Sequence, residues 1–386
     1  MAVCASVVSA SCSGVKLDEH AIFETYRESN RIPGLVAVTL TRGAEPKIFV
    51  SGVANTRKNV PVTPSTQFHY YSVTKLFTAV AVLQLVERGD IDLDADVRQY
   101  LPDVEFKQAF SGERAVVTIK QLLSHSSGFD RETDSLGFHL ASEQGISTMD
   151  LLRLLLRNEL KFRPGTKSSY SNVNFAVLAA VIERVTGQTF EAYMRDAVLR
   201  PLGMHDTDFS YRTLPSQQTA SGYVGRWSMM DWMMIFLYPS SRRDALLLDK
   251  SWFGDRELNL FELEAKGFGG MIGSIADLAK FLEFQLDLEE GQYDRVLGAA
   301  YRRMVFRHNN SPYGLGWAVG CAGEGTFGHV GGGPGFKSVV CLSPERGRAV
   351  AYLTNKFVSD DLGVDVLLRG SEQGSASPET GGDSNN

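Results

Sequence analysis

Tyr70-Tyr71-Ser72-Val73-Thr74-Lys75-Leu76-Phe77 ends an extended stretch bounded by Pro61 and Pro64 and opens an apolar run that continues to Val86. Leu76, Phe77, Val80, Val82, Leu83, Leu85 and Val86 leave almost no polar face, which predicts a buried helix over Ser72–Arg88. Ser72 then falls in the first turn, where free N–H groups and the positive end of the helix dipole favour an alkoxide or oxyanion. Lys75, three residues on, shares its face. A lysine at the end of so apolar a helix needs a structural partner or a chemical role. An amine held against a hydroxyl in a partly desolvated cleft is expected to give up its own proton more readily and to accept the serine proton. The Ser-x-x-Lys spacing alone is weak, because Ser13-Gly14-Val15-Lys16 matches it with no helix behind.

Outward from this helix the chain divides by periodicity. Upstream, Leu17–Ile32 reads as an amphipathic helix, followed by strands at Leu35–Leu40 and Lys47–Val50 around a Gly43-Ala44-Glu45-Pro46 turn. Downstream, Thr148–Arg157, Asn172–Thr186 and Phe190–Leu199 carry helical spacing. Ser274 with Asp277 reads as a cap opening a helix to about Leu286. Strands return at Leu315–Val319, Phe336–Leu342 and Arg348–Leu353, and Asp360–Leu368 reads as a closing helix. Strands from both ends around a helical middle predict an α+β fold: one antiparallel sheet covered by helices, beside a helical lobe, with the cleft between. The boundaries expected are an α/β lobe of about 17–70 and 270–369, a helical lobe of about 71–269, an N-terminal extension 1–16 and a disordered tail 370–386.

Two further segments carry candidate chemistry. Tyr170-Ser171-Asn172 follows the turn Phe162-Arg163-Pro164-Gly165 and precedes an apolar helix. A phenol beside a cationic lysine can relay a proton, and an Asn amide can orient a substrate carbonyl; a packed Tyr followed by a capping Asn is the competing reading. His329-Val330-Gly331-Gly332-Gly333 reads as a glycine-rich turn before a strand, with glycines that let substrate approach backbone N–H groups and one N–H completing an oxyanion hole with that of Ser72. A polar loop histidine is the plain alternative.

Composition narrows the classes. With 39 basic and 45 acidic side chains and a net charge of −6, the chain shows no Lys/Arg stripe, so no nucleic-acid partner is expected. Cys4, Cys12, Cys321 and Cys341 form no metal-type pair, and neither a metal nor a cofactor is expected. Cys321 and Cys341 are expected as buried thiols, with a disulfide as the alternative. No Gly-x-Ser-x-Gly occurs, which argues against a nucleophile elbow. Residues 227–239 are the most apolar stretch but too short to span a membrane. Trp227, Trp232, Phe236 and Tyr238 are expected in the core, with a lid over a pocket or contact with a membrane surface as alternatives. Ser9-Ala10-Ser11-Cys12 is a poor match to a lipoprotein box, and no basic region precedes Lys16, so the start gives no clear export signal.

Taken in order, Ser72-x-x-Lys75, Tyr170-x-Asn172 and His329-Val330-Gly331 resemble the three motifs of the serine β-lactamase and penicillin-binding superfamily, in its class C β-lactamase, D-alanyl-D-alanine carboxypeptidase and family VIII carboxylesterase branch. Leu122-Leu123-Ser124-His125-Ser126-Ser127-Gly128, Gly269–Ser274 and Tyr313-Gly314-Leu315-Gly316-Trp317 add similarity, so the resemblance runs from about residue 20 to 368. It implies a five-stranded antiparallel sheet and a mechanism in which Ser72 attacks, Lys75 and Tyr170 exchange protons, Asn172 holds substrate and the N–H groups of Ser72 and Gly332 stabilise the oxyanion. Such proteins are commonly periplasmic or envelope-bound, although a cytoplasmic place is compatible with the start of this chain. His329 departs from the usual Lys-Thr-Gly: a histidine can be neutral near pH 7 and then offers no fixed charge to a substrate carboxylate. Residues 226–264 also depart from a compact β-lactamase. The function expected is hydrolysis of a small ester, amide or peptide through an acyl-enzyme, the alternative being a penicillin-binding or sensor module that acylates without turnover.

Overall fold

The computed structural model describes residues 18–369, apart from 105–108, 111–112, 131–136, 157–158, 215–217, 238–239, 249–253 and 309–310. The expected N-terminal extension, the weak lipoprotein box, the second Ser-x-x-Lys and the expected disordered tail lie outside the described residues.

Helix α1 (Glu19–Ser29) leads into strands β1 (Gly34–Thr41), β2 (Lys47–Asn55), β3 (Val60–Pro61) and β4 (Gln67–His69). A 3-10 turn, Tyr71–Val73, then runs into α2 (Thr74–Glu87). The middle holds β5 (Ala109–Phe110), β6 (Glu113–Arg114), α3 (Ile119–Leu123), β7 (Phe138–Leu140), α4 (Thr148–Leu155), α5 (Asn172–Thr186) and α6 (Phe190–Met194). It continues through β8 (Tyr223–Val224), α7 (Met229–Leu237), α8 (Ser240–Leu246), β9 (Arg256–Glu257), β10 (Phe261–Leu263), α9 (Lys266–Gly269) and β11 (Ile272–Ser274). Last come α10 (Ile275–Leu286), α11 (Ala299–Met304), β12 (Ala318–Val319), β13 (Phe327–Gly333), β14 (Phe336–Ser343), β15 (Arg348–Thr354) and α12 (Val364–Arg369).

The main sheet is antiparallel, in the order β12-β13-β14-β15-β1-β2-β3. Seven strands stand where five were expected. The two additions are the two-residue edge strands β3 and β12, too short to leave a periodic signal; β3 joins β2 across an irregular register between Val53 and Asn55. A larger difference concerns residues 327–333. The glycines predict a turn, yet the segment is strand β13, paired with β14 from Phe327↔Leu342 to Gly333↔Phe336. Glycine is a poor strand former and is kept in one where something must come close.

Strands β14, β15 and β1, in the middle of the sheet, are buried on both faces. Phe23 and Tyr26 of α1 and Val364, Leu367 and Leu368 of α12 cover Leu35, Ala37, Val350 and Tyr352 on one face. The other face packs on α10, and α2, α5 and α9 pack together beside it. From Thr74 to Leu85 every residue of α2 is buried, as apolar residues on every side of the helix require. Ser274 caps α10 by accepting from the Asp277 N–H, as its sequence suggests.

The cysteine expectation is corrected. Cys321 and Cys341 are joined as a disulfide with Cα atoms 5.9 Å apart. Gly328 sits opposite Cys341 in the register, and a Cβ there would come within 2.8 Å of Cys321, so a missing side chain makes room for the bridge.

The core expectation for residues 227–239 is corrected as well. Met230, Asp231 and Met234 are buried, but Trp227, Met229, Trp232, Met233 and Phe236 face solvent. Tyr238 lies outside the described residues. Among the described residues no helix is long and apolar enough to cross a membrane.

Candidate active site

Ser72 stands on the 3-10 turn rather than inside the α-helix, between two fixed points. Before it, the Tyr70 N–H donates to Met271 O at 2.9 Å and the Tyr70 carbonyl accepts from Ser338 Oγ at 2.6 Å. Tyr71 adopts a left-handed backbone, φ 46°, which a non-glycine residue keeps only when its surroundings hold it. Its phenol donates to Pro334 O at 2.7 Å, and its ring stacks on His69 at 5.4 Å. After Ser72, the buried helix α2 carries Lys75 inward.

Two polar groups meet the Ser72 hydroxyl. Lys75 Nζ lies 3.1 Å from Ser72 Oγ and donates to Phe268 O at 2.7 Å, its side chain fully buried. The Tyr170 hydroxyl lies 2.8 Å from Ser72 Oγ. The ammonium also stands 5.0 Å from the centre of the Tyr170 ring, an attractive placement. Residues 72, 75 and 170, drawn from two distant segments, thus share one hydrogen-bonded cluster. Such a cluster can move a proton off the serine and return it to a leaving group.

Asn172 begins α5, and its Oδ1 is buried without a hydrogen-bond partner among the described residues. The cap position belongs to Ser171, whose hydroxyl donates to Asp130 O. Asn172 is therefore not the cap.

Strand β13 passes Ser72 at close range. A Cβ on Gly331 would stand 2.3 Å from the Tyr70 carbonyl oxygen, 2.3 Å from Ser338 Oγ and 3.0 Å from the Ser72 nitrogen. On Gly332 it would stand 2.4 Å from the Phe357 ring. Both positions exclude any side chain, which accounts for a glycine run inside a strand. His329, on the same strand, is 6% exposed and its ring lies 5.9 Å from that of Tyr170. Its Nδ1 lies 3.0 Å from Val330 O, so that nitrogen carries the proton, and Nε2 is buried with no hydrogen-bond partner among the described residues. Burial, with the nearby Lys75 charge second, lowers its pKa to about 3, leaving a neutral imidazole.

A second histidine lies in the segment Leu122–Gly128. His125, φ 54°, is fully buried, and its Nδ1 accepts from the Ser171 N–H at 3.1 Å and lies 3.0 Å from Asn174 Nδ2. Asn174 Oδ1 accepts from Ser127 Oγ at 2.6 Å. The His125 ring lies 4.7 Å from that of Tyr170 and 4.7 Å from that of Tyr313. Burial, followed by the charge of Lys75 and by His329, lowers its pKa well below 6.5. A neutral ring thus fixes the backbone next to Tyr170 and packs on its phenol. Its signal was the segment Leu122–Gly128; periodicity could not show that a residue behind a short helix would underlie a loop 45 residues later.

Comparison with known proteins agrees with this architecture. Protein flp of Staphylococcus aureus (strain MW2) is 27% identical over 345 residues, 86% of this chain and 62% of that protein. Esterase EstB of Burkholderia gladioli is 35% identical over 211 residues, 52% of this chain and 53% of that protein. The chain thus spans between half and two thirds of the length of these curated relatives. D-amino acid amidase from Ochrobactrum anthropi SV3, in complex with D-phenylalanine, shares the fold with a TM-score of 0.70 at 23% identity, over 89% of this chain and 92% of that one. The model of the family described as Beta-lactamase matches residues 20–371, and the chain belongs to this family.

Proposed function

We propose that the chain hydrolyses small esters or amides through an acyl-enzyme on Ser72. The observation that carries this reading is the placement of Lys75 Nζ and the Tyr170 hydroxyl 3.1 and 2.8 Å from one serine oxygen. In the proposed cycle Ser72 Oγ bonds to the acyl carbon while its proton passes into the Lys75–Tyr170 pair. The pair then delivers the proton to the departing oxygen or nitrogen as the acyl–leaving group bond breaks. Water repeats the sequence on the ester, releasing acid and restoring the serine. The N–H groups of Ser72 and Gly332 hold the oxyanion, and the amide of Asn172 orients the substrate carbonyl.

His329 favours this substrate class over carboxylate-bearing β-lactams. Held neutral by burial, it offers no positive charge for a carboxylate. The esterase name of a relative at 35% identity points the same way.

The test is a panel of p-nitrophenyl esters, D-amino acid amides, D-alanyl peptides and nitrocefin, with Ser72→Ala as control. Continued release beyond one equivalent supports turnover. A plateau at one equivalent with a stable adduct on Ser72 would replace this reading with that of a penicillin-binding or sensor module.

A further inference from the structure

The helix α7 presents apolar residues on two faces. Met230 and Met234 point into the core with Asp231, which pairs with Arg256 at 3.1 Å and accepts from the Trp227 N–H. These contacts fix the rotation of the helix. Met229, Trp232, Met233 and Phe236, at i, i+3, i+4 and i+7, are left outside. Trp232 lies 5.9 Å from Phe236 with nearly parallel rings, and Trp227 lies 5.8 Å from Trp232. Trp227 is 67% exposed and Phe236 76%. Most other exposed large apolar residues stand singly, as on any surface.

We propose that this outward face of α7 docks the protein on a lipid–water interface. Tryptophan and phenylalanine on one face with arginines at the margin is the pattern of a helix lying in such an interface. Here Arg226 precedes the stripe, and Arg242 and Arg243 on α8 follow it, against the single acid Asp244. Arg242 is exposed, and its stem can lie along apolar surface with one guanidinium nitrogen on Phe138 O and the rest turned toward headgroups. A second copy of the chain suits the face less well, because five side chains fall short of the roughly 20–30 residues a side that a stable dimer uses. The face is also continuous with a cleft of about 500 Å³. Arg226, Met229 and Met230 line one part of that cleft and Phe357 another, and Phe357 lies against Gly332 on β13. A docked surface would thus sit beside a cleft that reaches the flank of strand β13. The inference rests on the hydrolase reading only for what the docked surface supplies, an ester or amide within a lipid phase; the binding itself is independent of catalysis.

The experiment therefore uses the Ser72→Ala chain and vesicles of phosphatidylcholine, with and without phosphatidylglycerol. Flotation and tryptophan emission are both read, the background coming from the buried Trp317 and from Trp252. The expected result is co-flotation, a blue shift on vesicle addition, and stronger binding when phosphatidylglycerol is present. The pair Trp232→Ser and Phe236→Ser should weaken partitioning by at least about tenfold. In the Ser72 background that pair should leave turnover of a soluble ester unchanged, showing that the variant folds. No flotation of the parent chain overturns the proposal. So does a concentration-dependent dimer in sedimentation equilibrium that the same pair converts to monomer, since the face would then belong to a second copy. Failure of the ester panel with flotation intact would count against the hydrolase reading alone.

Discussion

Replacing Gly331 by alanine tests the active-site geometry with a single methyl group. The new Cβ would stand 2.3 Å from the Tyr70 carbonyl oxygen and 2.3 Å from Ser338 Oγ, about 1 Å inside ordinary contact. Ser338 could swing away only by giving up its 2.6 Å hydrogen bond to that carbonyl. The Tyr70 backbone is tied to Met271 and cannot follow freely. Strand β13 and the Ser72 turn must therefore separate, and overpacking of this kind costs about 1–3 kcal/mol of stability. A displacement near 1 Å at reacting groups lowers the rate about 10²-fold. The assay is kcat/KM on the best ester of the panel, beside thermal unfolding and titration of Ser72 with a fluorophosphonate. Gly89→Ala supplies the control: its φ of 78° makes it costly for stability, but nothing lies within 4 Å of the new atom. It should lose stability and keep its rate. If Gly331→Ala turns over within twofold of the parent, β13 does not set the reaction geometry and the reasoning is wrong.

Other outcomes follow from the same geometry. Tyr170→Phe keeps the ring but removes the hydroxyl, and kcat should fall about 10²–10⁴-fold with little change in melting temperature; a full rate would remove Tyr170 from proton transfer. His125→Ala should lower kcat and leave KM nearly unchanged, with His125→Asn restoring part of the loss, because the ring acts through the Tyr170 backbone. Removing the disulfide with Cys321→Ser and Cys341→Ser, 20 residues apart, should cost about 3 kcal/mol in urea unfolding, and dithiothreitol should reproduce the loss in the parent. His139 is hydrogen-bonded to Glu262 and Glu264, which raise its pKa from 6.5 to about 9. Since the folded value is the higher one, its stabilisation is complete below pH 6.5 and disappears as pH rises through 9. His139→Gln should flatten that part of the profile by on the order of 2 kcal/mol, allowing for solvent screening; identical pH slopes in both proteins would refute the assignment.

How far the sequence could be read follows from what kind of contact each residue makes. Helix α2 was legible because every side contributes apolar residues, and the cap at Ser274 because it is a local device. Ser72, Lys75 and Tyr170 could be named because ordered motifs carry them, although only coordinates bring Tyr170 across to the serine. Strand β13 was hidden because the glycines that admit Tyr70 and Phe357 also erase the strand signal. The exposed stripe on α7 was misjudged because hydropathy records that residues 227–239 are apolar, not that Asp231 and Arg256 pin one face inward and leave the other outside. The role of His125 depends on a loop far along the chain, which no local pattern contains.

The central place of β1 in the sheet bears on biosynthesis. Leu35 to Thr41 pair with Thr354 to Arg348, so the first long strand waits for one more than three hundred residues downstream before its second edge is closed. Ser72 leaves the ribosome early, but β13 arrives only after the whole helical middle has been made. Folding of this topology pays a long loop closure late, and the early segments must stay soluble until then. A nascent chain halted before residue 327 would carry Ser72, Lys75 and Tyr170 and have no strand β13 to set beside them, so the site cannot be completed before the last fifth of the chain is made.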